Sequence, residues 1–281
     1  MIYRFKKTVL YSYINVNPLS TFMLGVKMKK NKILPETSLR ESVDPDEMAS
    51  FLRMADDWWD PEGPFKPLHV MNGARLELII ENLCEFFHRD PKGNLPLKGL
   101  QILDIGCGGG LLCEPLTQLG AIMTGVDALE RNIKTAEIHS KKMGLNINYL
   151  HGTIEELVLS SDTKYDVVLN MEVIEHVNNQ AEFIKNCGAM LSDGGILFCS
   201  TINRTFKAFT FAILGAEYIL RWLPKGTHQY NKFVTPDEIQ RWLKDAGLLP
   251  RPCIGMTLNP LKNIWSFSED LRINYITIAT K

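Results

Sequence analysis

The chain has 281 residues, of which 45% are hydrophobic and 22% charged, and its formal net charge at pH 7 is −1. This length suits one large domain or two small ones, and the composition is that of a globular protein. A net charge near zero excludes a global attraction to nucleic acid, so we expect no nucleic-acid partner. The six cysteines form no CxxC pair, which indicates free thiols in a reducing compartment.

The first 40 residues differ in composition from the rest of the chain. Residues 1–35 carry seven basic side chains and no acidic one, with apolar, aromatic and hydroxyl residues between them. This composition is typical of an organellar transit peptide, and its apolar stretches are too short to span a membrane. A disordered basic tail is the alternative. We therefore predict a targeting segment or tail at 1–40 and a folded domain at 41–281.

Residues 44–88 have the pattern of a helical lead-in to this domain. Asp44–Glu47 is a helix-start signal, with proline and acids in the first turn. Trp58, Trp59 and several prolines follow in a rigid segment that we expect to cover a pocket. Arg75 opens the next predicted helix, where its guanidinium can pair with a carboxylate. A surface salt bridge is the simpler interpretation of Arg75 from spacing alone.

A glycine turn between two predicted strands organises the centre of the chain. Gln101–Ile105 is apolar enough for a buried strand, and it runs directly into Gly106–Gly110. Without Cβ atoms at positions such as Gly108, backbone N–H groups can approach a ligand closely. Asp127 ends the next apolar run, 21 residues after Gly106, where a carboxylate can accept both hydroxyls of a ribose. The alternative is a glycine-rich surface loop and a helix-capping aspartate.

The glycine spacing indicates the class of nucleotide-binding fold. The pattern Asp104-x-Gly106-x-Gly108-x-Gly110 lacks the sixth-position glycine of dinucleotide-binding proteins. It resembles instead the first motif of class I S-adenosylmethionine-dependent methyltransferases. Strands and helices alternate through a fifth strand, ILFCST, which indicates a mostly parallel α/β sheet. We predict this Rossmann-like fold, with a helical N-terminal lead-in and a helical insertion after the fifth strand.

Two acids and a histidine follow the predicted fourth strand, YDVVLN. If a helical turn begins there, Glu172, Glu175 and His176 lie at i, i+3 and i+4 on one face. Two carboxylates and an imidazole at the carboxyl end of the sheet can hold a divalent ion. The alternative is that the acids belong to an ordinary first helical turn, and that His176 caps it or acts as a base.

Residues 203–231 form the predicted insertion. Apolar residues recur there at alternating spacings of three and four, and basic residues gather on the remaining side. The segment is too interrupted to span a bilayer. A wide apolar face with a basic strip is typical of a helix that lies on a membrane surface or covers an apolar substrate. A helix in the core of the domain or in a dimer interface is the alternative.

Several stretches together resemble one family, the ubiquinone-biosynthesis O-methyltransferases of mitochondria and proteobacteria. The stretches are WWDPEGPFKPLH, LDIGCGGGLLCEPL, GVD, MEVIEHV, STINRT and GAEYILRWLPKGTH. The resemblance covers residues 44–281. It implies two O-methylations on catechol-type hydroxyls of polyprenylated rings, one on a polyprenyl dihydroxybenzoate and one on a demethylubiquinol.

The resemblance also implies roles for individual residues. Those implied to contact S-adenosylmethionine are Arg75, Gly106, Gly108, Asp127 and Met171. Glu172, Glu175 and His176 would bind a divalent ion, expected to be Mg2+. Glu172 and His176 would be catalytic, His176 as the general base if it is not a metal ligand.

The family further implies a place in the cell. It implies a peripheral protein on the matrix side of the mitochondrial inner membrane, with other coenzyme Q biosynthesis proteins as partners. Two alternatives differ in function: a non-catalytic scaffold subunit of such a complex, or another small-molecule methyltransferase. The intact glycines, Asp127 and the acidic residues after the fourth strand favour the enzyme.

Overall fold

Strands and helices alternate along the residues that the computed structural model describes, which are 58–63, 65–210, 229–259 and 264–281. The strands are β1 Gln101–Ile105, β2 Ile122–Asp127, β3 Asn148–His151, β4 Tyr165–Met171, β5 Leu191–Ile202, β6 Leu249–Pro250, β7 Ile254–Asn259, β8 Ile264–Ser268 and β9 Asn274–Thr280. The helices are α1 Lys66–Phe86, α2 Cys113–Gln118, α3 Glu130–Lys142, α4 Ile154–Ser160, α5 Gln180–Met190, α6 Phe206–Ala208 and α7 Pro236–Asp245. Short 3₁₀ turns lie at Ile174–His176 and Tyr230–Lys232.

The strands form one nine-stranded sheet. Five of them are parallel and lie in the order β3, β2, β1, β4, β5. The sheet continues beyond β5 with antiparallel β9, β7 and β8, and β6 also pairs with β9. The strand order reverses between β1 and β4, and in open α/β sheets ligands bind beyond the carboxyl ends of the strands at such a point.

Two apolar clusters cover the two faces of the sheet. One contains Leu78 and Ile79 of α1 together with Ile102 of β1. The other contains Leu103 of β1 together with Leu243 of α7. All five side chains are fully buried. Ile102 and Leu103 of β1 therefore contribute to opposite clusters, as expected for a central parallel strand that is covered on both faces.

Helix ends follow the capping residues of the sequence. Thr235 caps α7 in a capping box with Glu238, and Pro236 lies in the first turn of the helix. The helix after the glycine turn begins only at Cys113, because Gly110 still has a left-handed φ of +90°. Four strands follow α7, namely the short β6 and then β7, β8 and β9.

Several predictions concern residues that the structure does not describe. These are the segment at 1–40, the helix start at Asp44–Glu47 and residues 211–228 of the insertion. The proposed boundaries of targeting segment, domain and insertion therefore stay predictions. Within the described ranges, no helix is both long enough and apolar enough to cross a membrane.

Candidate functional site

The glycine turn lies where β1 ends beside β2 and β4. Gly106 has a φ of +69° and Gly108 a φ of +54°, a region that side chains with a Cβ rarely adopt. A Cβ on Gly106 would lie 2.5 Å from Cγ2 of Val173, and one on Gly108 would lie 2.5 Å from Cη2 of Trp58. Glycine is required at both positions for conformation and for space.

Asp127, at the end of β2, is fixed against this turn. Its Oδ2 accepts a hydrogen bond from the amide of Gly108 at 2.9 Å. Its Oδ1 accepts one from the amide of Leu129 at 2.9 Å and one from Nδ2 of Asn132 at 3.0 Å. Burial raises the pKa of Asp127 above its usual range, and these hydrogen bonds limit the rise. The predicted pairing of glycine turn and aspartate is thus present in the fold.

The two tryptophans of the lead-in lie on the glycine turn. Nε1 of Trp58 donates to Oδ1 of Asn132 at 3.0 Å, and Nε1 of Trp59 donates to the carbonyl of Gly109 at 2.8 Å. The indole of Trp59 stacks on His139 with ring centroids 3.6 Å apart. The sequence predicted that this segment covers a pocket, and the structure places it over the turn that precedes α2.

Arg75 lies in the middle of α1 and not at the start of a helix as predicted, and it reaches the same end of the sheet. Its side chain is 2% exposed, so the surface salt bridge that spacing alone suggested is wrong. Nη2 of Arg75 lies 2.7 Å from Oε1 of Glu172, and Nη1 donates to Oδ1 of Asn72 at 3.4 Å. Glu172 also accepts hydrogen bonds from Oγ of Ser200 at 2.8 Å and from Nδ2 of Asn274 at 3.2 Å.

Glu172, Glu175 and His176 do not share a helical face. Glu172 has a φ of +59°, and the helical geometry is limited to the 3₁₀ turn at Ile174–His176. Glu175 is 2% exposed, and its Oε2 accepts from Oγ1 of Thr201 at 2.8 Å. The described ranges contain no group of three His, Cys, Asp or Glu side chains arranged to hold a metal ion. The predicted metal triad is not preformed, because β5 and α1 supply other partners for its carboxylates.

Two further buried residues lie beside these groups. Met171, at the end of β4, is 8% exposed and pairs in register with Ser200 of β5. Asp104 of β1 is 3% exposed, and Sγ of Cys113 lies 3.4 Å from its Oδ2. Burial raises the pKa of Asp104 to about 7, and Arg75 and the thiol of Cys113 oppose that rise.

Sequence reasoning missed the polar residues that support the site. Asn132 links Asp127 to Trp58, while Ser200 and Asn274 hold Glu172. Asn274 lies 102 residues from Glu172 in the chain. No local pattern marks such a residue, since its contact depends on β9 packing beside β5.

The known proteins that this chain resembles in sequence are methyltransferases. A family model described as a methyltransferase domain matches residues 71–250. The ubiquinone biosynthesis O-methyltransferase of Dinoroseobacter shibae is 50% identical over 246 residues, which are 87% of this chain and 99% of that protein. The protein of the same name from Maricaulis maris is 47% identical over 247 residues, which are 88% of this chain and 96% of that protein.

A solved structure shares the fold at low sequence identity. Magnesium protoporphyrin IX methyltransferase from Synechocystis PCC 6803, crystallised with bound SAH, has a TM-score of 0.56 and 19% identity. The match covers 82% of this chain and 93% of that one. Together with the strand order, it confirms the predicted class I methyltransferase fold.

Proposed function

This chain belongs to the ubiquinone biosynthesis O-methyltransferases, and from that membership we propose that it methylates a hydroxyl oxygen of a ubiquinone precursor with S-adenosylmethionine as methyl donor. The observation that carries the proposal is the carboxylate of Asp127, held against the amide of Gly108 beside the strand-order reversal. Ribose hydroxyls bind to an acid in this position in related folds.

The described residues fit S-adenosylmethionine. Its amino-acid end carries a carboxylate, and Arg75 is a buried cation whose Nε finds no acceptor within the described ranges. Asp127 would accept the ribose hydroxyls, while the missing Cβ atoms of Gly106 and Gly108 let Val173 and Trp58 pack close to the turn. Met171 would contact the cofactor from the end of β4. These contacts would fix the orientation of the donor, which is a large part of catalysis in a group transfer.

S-adenosylmethionine supplies an electrophilic methyl group, which the substrate oxygen takes as the sulfur–carbon bond breaks. A free phenol has a pKa of about 10 and is a weak nucleophile at neutral pH, so a group of the protein must accept its proton. We assign this role to His176, which is partly exposed at the end of the 3₁₀ turn after β4. His176 then releases the proton to solvent.

The residues predicted to bind Mg2+ do not fit a divalent ion in the arrangement described. Glu172 contacts Arg75 and Ser200, and Glu175 accepts from Thr201. The mechanism proposed above needs no metal ion, and binding of Mg2+ stays a prediction to be tested separately. The test is methyl-transfer activity after dialysis against a chelator and again after addition of Mg2+. A strong rise on addition would support the Mg2+ prediction, and it would imply that Glu172 leaves Arg75 to bind the ion.

The assay for the proposed function is methyl transfer to short-tailed analogues of a dihydroxybenzoate and of a demethylubiquinol, measured side by side by mass spectrometry. We expect both to be methylated. Binding of S-adenosylhomocysteine without transfer to either would favour the scaffold alternative. Transfer only to unrelated hydroxyl compounds would favour another small-molecule methyltransferase.

His176→Asn tests the general base. We expect turnover to fall about 100-fold or more, with the affinity for S-adenosylhomocysteine unchanged. The matched control is His88→Asn, because His88 is exposed beyond the end of α1. A loss of less than about tenfold in the His176 variant would contradict its role as the base.

We also propose that the insertion at 203–231 faces a membrane surface or an apolar substrate. Phe206 at its start is 78% exposed. Phe206 begins a row of aromatic rings in contact. The ring centroids are 6.3 Å apart between Phe206 and Phe209, 5.6 Å between Phe209 and Tyr230, and 5.9 Å between Tyr230 and Phe233. An exposed aromatic residue at the edge of such a segment suits an apolar surface.

Flotation with phospholipid vesicles tests this surface. Phe206→Asp should reduce the fraction of protein that floats. Leu159→Asp is the control, because Leu159 is 70% exposed on α4. Equal flotation of both variants and of the unchanged protein would contradict the membrane role.

We propose a mitochondrial localisation from the composition of the first 40 residues. The basic, acid-free stretch within 1–40 suits a mitochondrial transit peptide, with the protein peripheral on the matrix side of the inner membrane beside other coenzyme Q biosynthesis proteins. The relatives reported above are bacterial, so they lend the transit peptide no support. A fusion of residues 1–40 to a fluorescent protein tests it, and a diffuse cytosolic signal would contradict it.

A further inference from the structure

The buried contact between Arg75 and Glu172 bears on the affinity of this site for S-adenosylmethionine. We infer that Glu172 competes with the carboxylate of S-adenosylmethionine for the guanidinium of Arg75. This inference rests on the proposed function and extends it, because it gives Glu172 a positioning role that neither metal binding nor general-base catalysis includes.

The guanidinium of Arg75 is a buried charge. Arg75 is 2% exposed, and a buried guanidinium needs an opposite charge close to it. Oε1 of Glu172 supplies that charge at 2.7 Å, while Asp104 interacts with Arg75 through charge alone. The cofactor's carboxylate would bring a second negative charge to the guanidinium that Glu172 already contacts, and the two carboxylates would repel each other there.

Glu172 leaves part of the hydrogen-bonding capacity of the guanidinium unused. Within the described ranges, neither Nε nor Nη2 of Arg75 has an acceptor in hydrogen-bond geometry, although Nη2 and Oε1 of Glu172 are in contact. A guanidinium can bind a carboxylate through two parallel N–H bonds. An incoming carboxylate free to adopt that geometry would gain more from Arg75 than Glu172 does.

Glu172 has other partners that can hold its carboxylate when it leaves Arg75. Ser200 and Asn274 each donate a hydrogen bond to its carboxylate. The backbone of Glu172 has a φ of +59°, which is unfavourable for a residue with a Cβ. The neighbouring side chain, Val173, would touch a Cβ on Gly106, so this turn lies directly against the cofactor loop.

The experiment compares two ligands that differ at the amino-acid end. Calorimetry measures binding of S-adenosylhomocysteine, which has the carboxylate, and of 5′-methylthioadenosine, which lacks the whole amino-acid end. All titrations contain a chelator, so that no metal ion alters the charge near Glu172. Glu172→Asn removes the competing charge and keeps a residue type that tolerates a positive φ. Glu172→Gln is the second neutral variant, in case one of the two does not fold.

We expect each neutral variant to bind S-adenosylhomocysteine about tenfold more tightly, with the affinity for methylthioadenosine unchanged. Glu182→Gln, which neutralises an exposed acid paired with Lys185, should change neither affinity. In an Arg75→Gln background, Glu172→Asn should no longer strengthen binding of S-adenosylhomocysteine, because the shared cation is gone.

Three results would overturn the inference. Unchanged or weaker binding of S-adenosylhomocysteine by both neutral variants would show that Glu172 does not compete. An equal gain for both ligands would show a general change of the site. Failure of the unmodified protein to bind S-adenosylhomocysteine would overturn both the proposed function and the competition. If the protein binds it, but the neutral variants leave the ratio of its affinity to that of methylthioadenosine unchanged, only the competition is overturned.

Discussion

Replacing Gly106 by alanine should destabilise the fold through two separable effects. The φ of +69° places the new residue in the left-handed region, which costs about 1–2 kcal/mol for a residue with a Cβ. The new Cβ would also lie 2.5 Å from Cγ2 of Val173, and overpacking of this kind costs about 1–3 kcal/mol. We therefore expect the free energy of unfolding to fall by about 2–5 kcal/mol.

Gly144 provides a matched control for the backbone effect. It has the same φ of +69°, but a Cβ there would meet no heavy atom within 4 Å. Gly144→Ala should therefore lose only the first contribution, about 1–2 kcal/mol. Urea unfolding of both variants measures the difference, which is the steric contribution at Gly106.

Val173→Ala supplies the second half of the test. Without the γ methyl groups, the alanine at 106 has room, so the loss caused by Gly106→Ala should shrink to the value measured at Gly144. The double-mutant cycle isolates this coupling. An undiminished loss in the Val173→Ala background would refute the steric argument, and equal losses at Gly106 and Gly144 would refute it independently.

Three other changes probe the surroundings of the site. Asp104→Asn should remove a pH dependence: since its folded pKa is raised to about 7, the native state holds a proton that the unfolded state loses near pH 4, so wild-type stability falls as pH rises between these values. From pH 5 to pH 8, the free energy of unfolding of the variant should rise relative to that of the wild type by about 3 kcal/mol, and a constant difference between the two proteins in urea unfolding across this range would contradict this. Trp59→Phe removes the hydrogen bond to Gly109 and should weaken binding of S-adenosylhomocysteine severalfold by calorimetry; unchanged affinity would exclude that role. Thr235→Ala removes the capping box with Glu238 and should cost about 1 kcal/mol in urea unfolding, whereas no loss would show that the cap contributes nothing.

The parts of the site that sequence could predict are those encoded by short-range spacing. A glycine turn after a strand and an acid at the end of the next strand lie together in any parallel sheet of this kind, and Asp127 does bond to Gly108. The cap at Thr235 was equally predictable, because its partner Glu238 is three residues away.

The geometry after β4 could not be predicted in the same way. A helical face for Glu172, Glu175 and His176 was the natural expectation from their spacing. The structure instead turns Glu172 into a left-handed conformation beside Arg75, with donors from β5 and β9. The direction of this one carboxylate depends on α1, β5 and β9, which are far apart in the sequence. The local periodicity of the sequence cannot predict that these elements come together.

The position of β9 has a consequence for how the protein is made. This strand lies between β5 and β7, yet it follows both of them in the chain. During translation the backbone edge of β5 therefore stays unpaired until Asn274–Thr280 has left the ribosome, and open edges of this kind invite pairing with other chains. Asn274 reaches Glu172 only at that moment. A nascent chain shortened by these last residues would lose the strand that closes its sheet and the amide that holds a site carboxylate, and would be prone to aggregate.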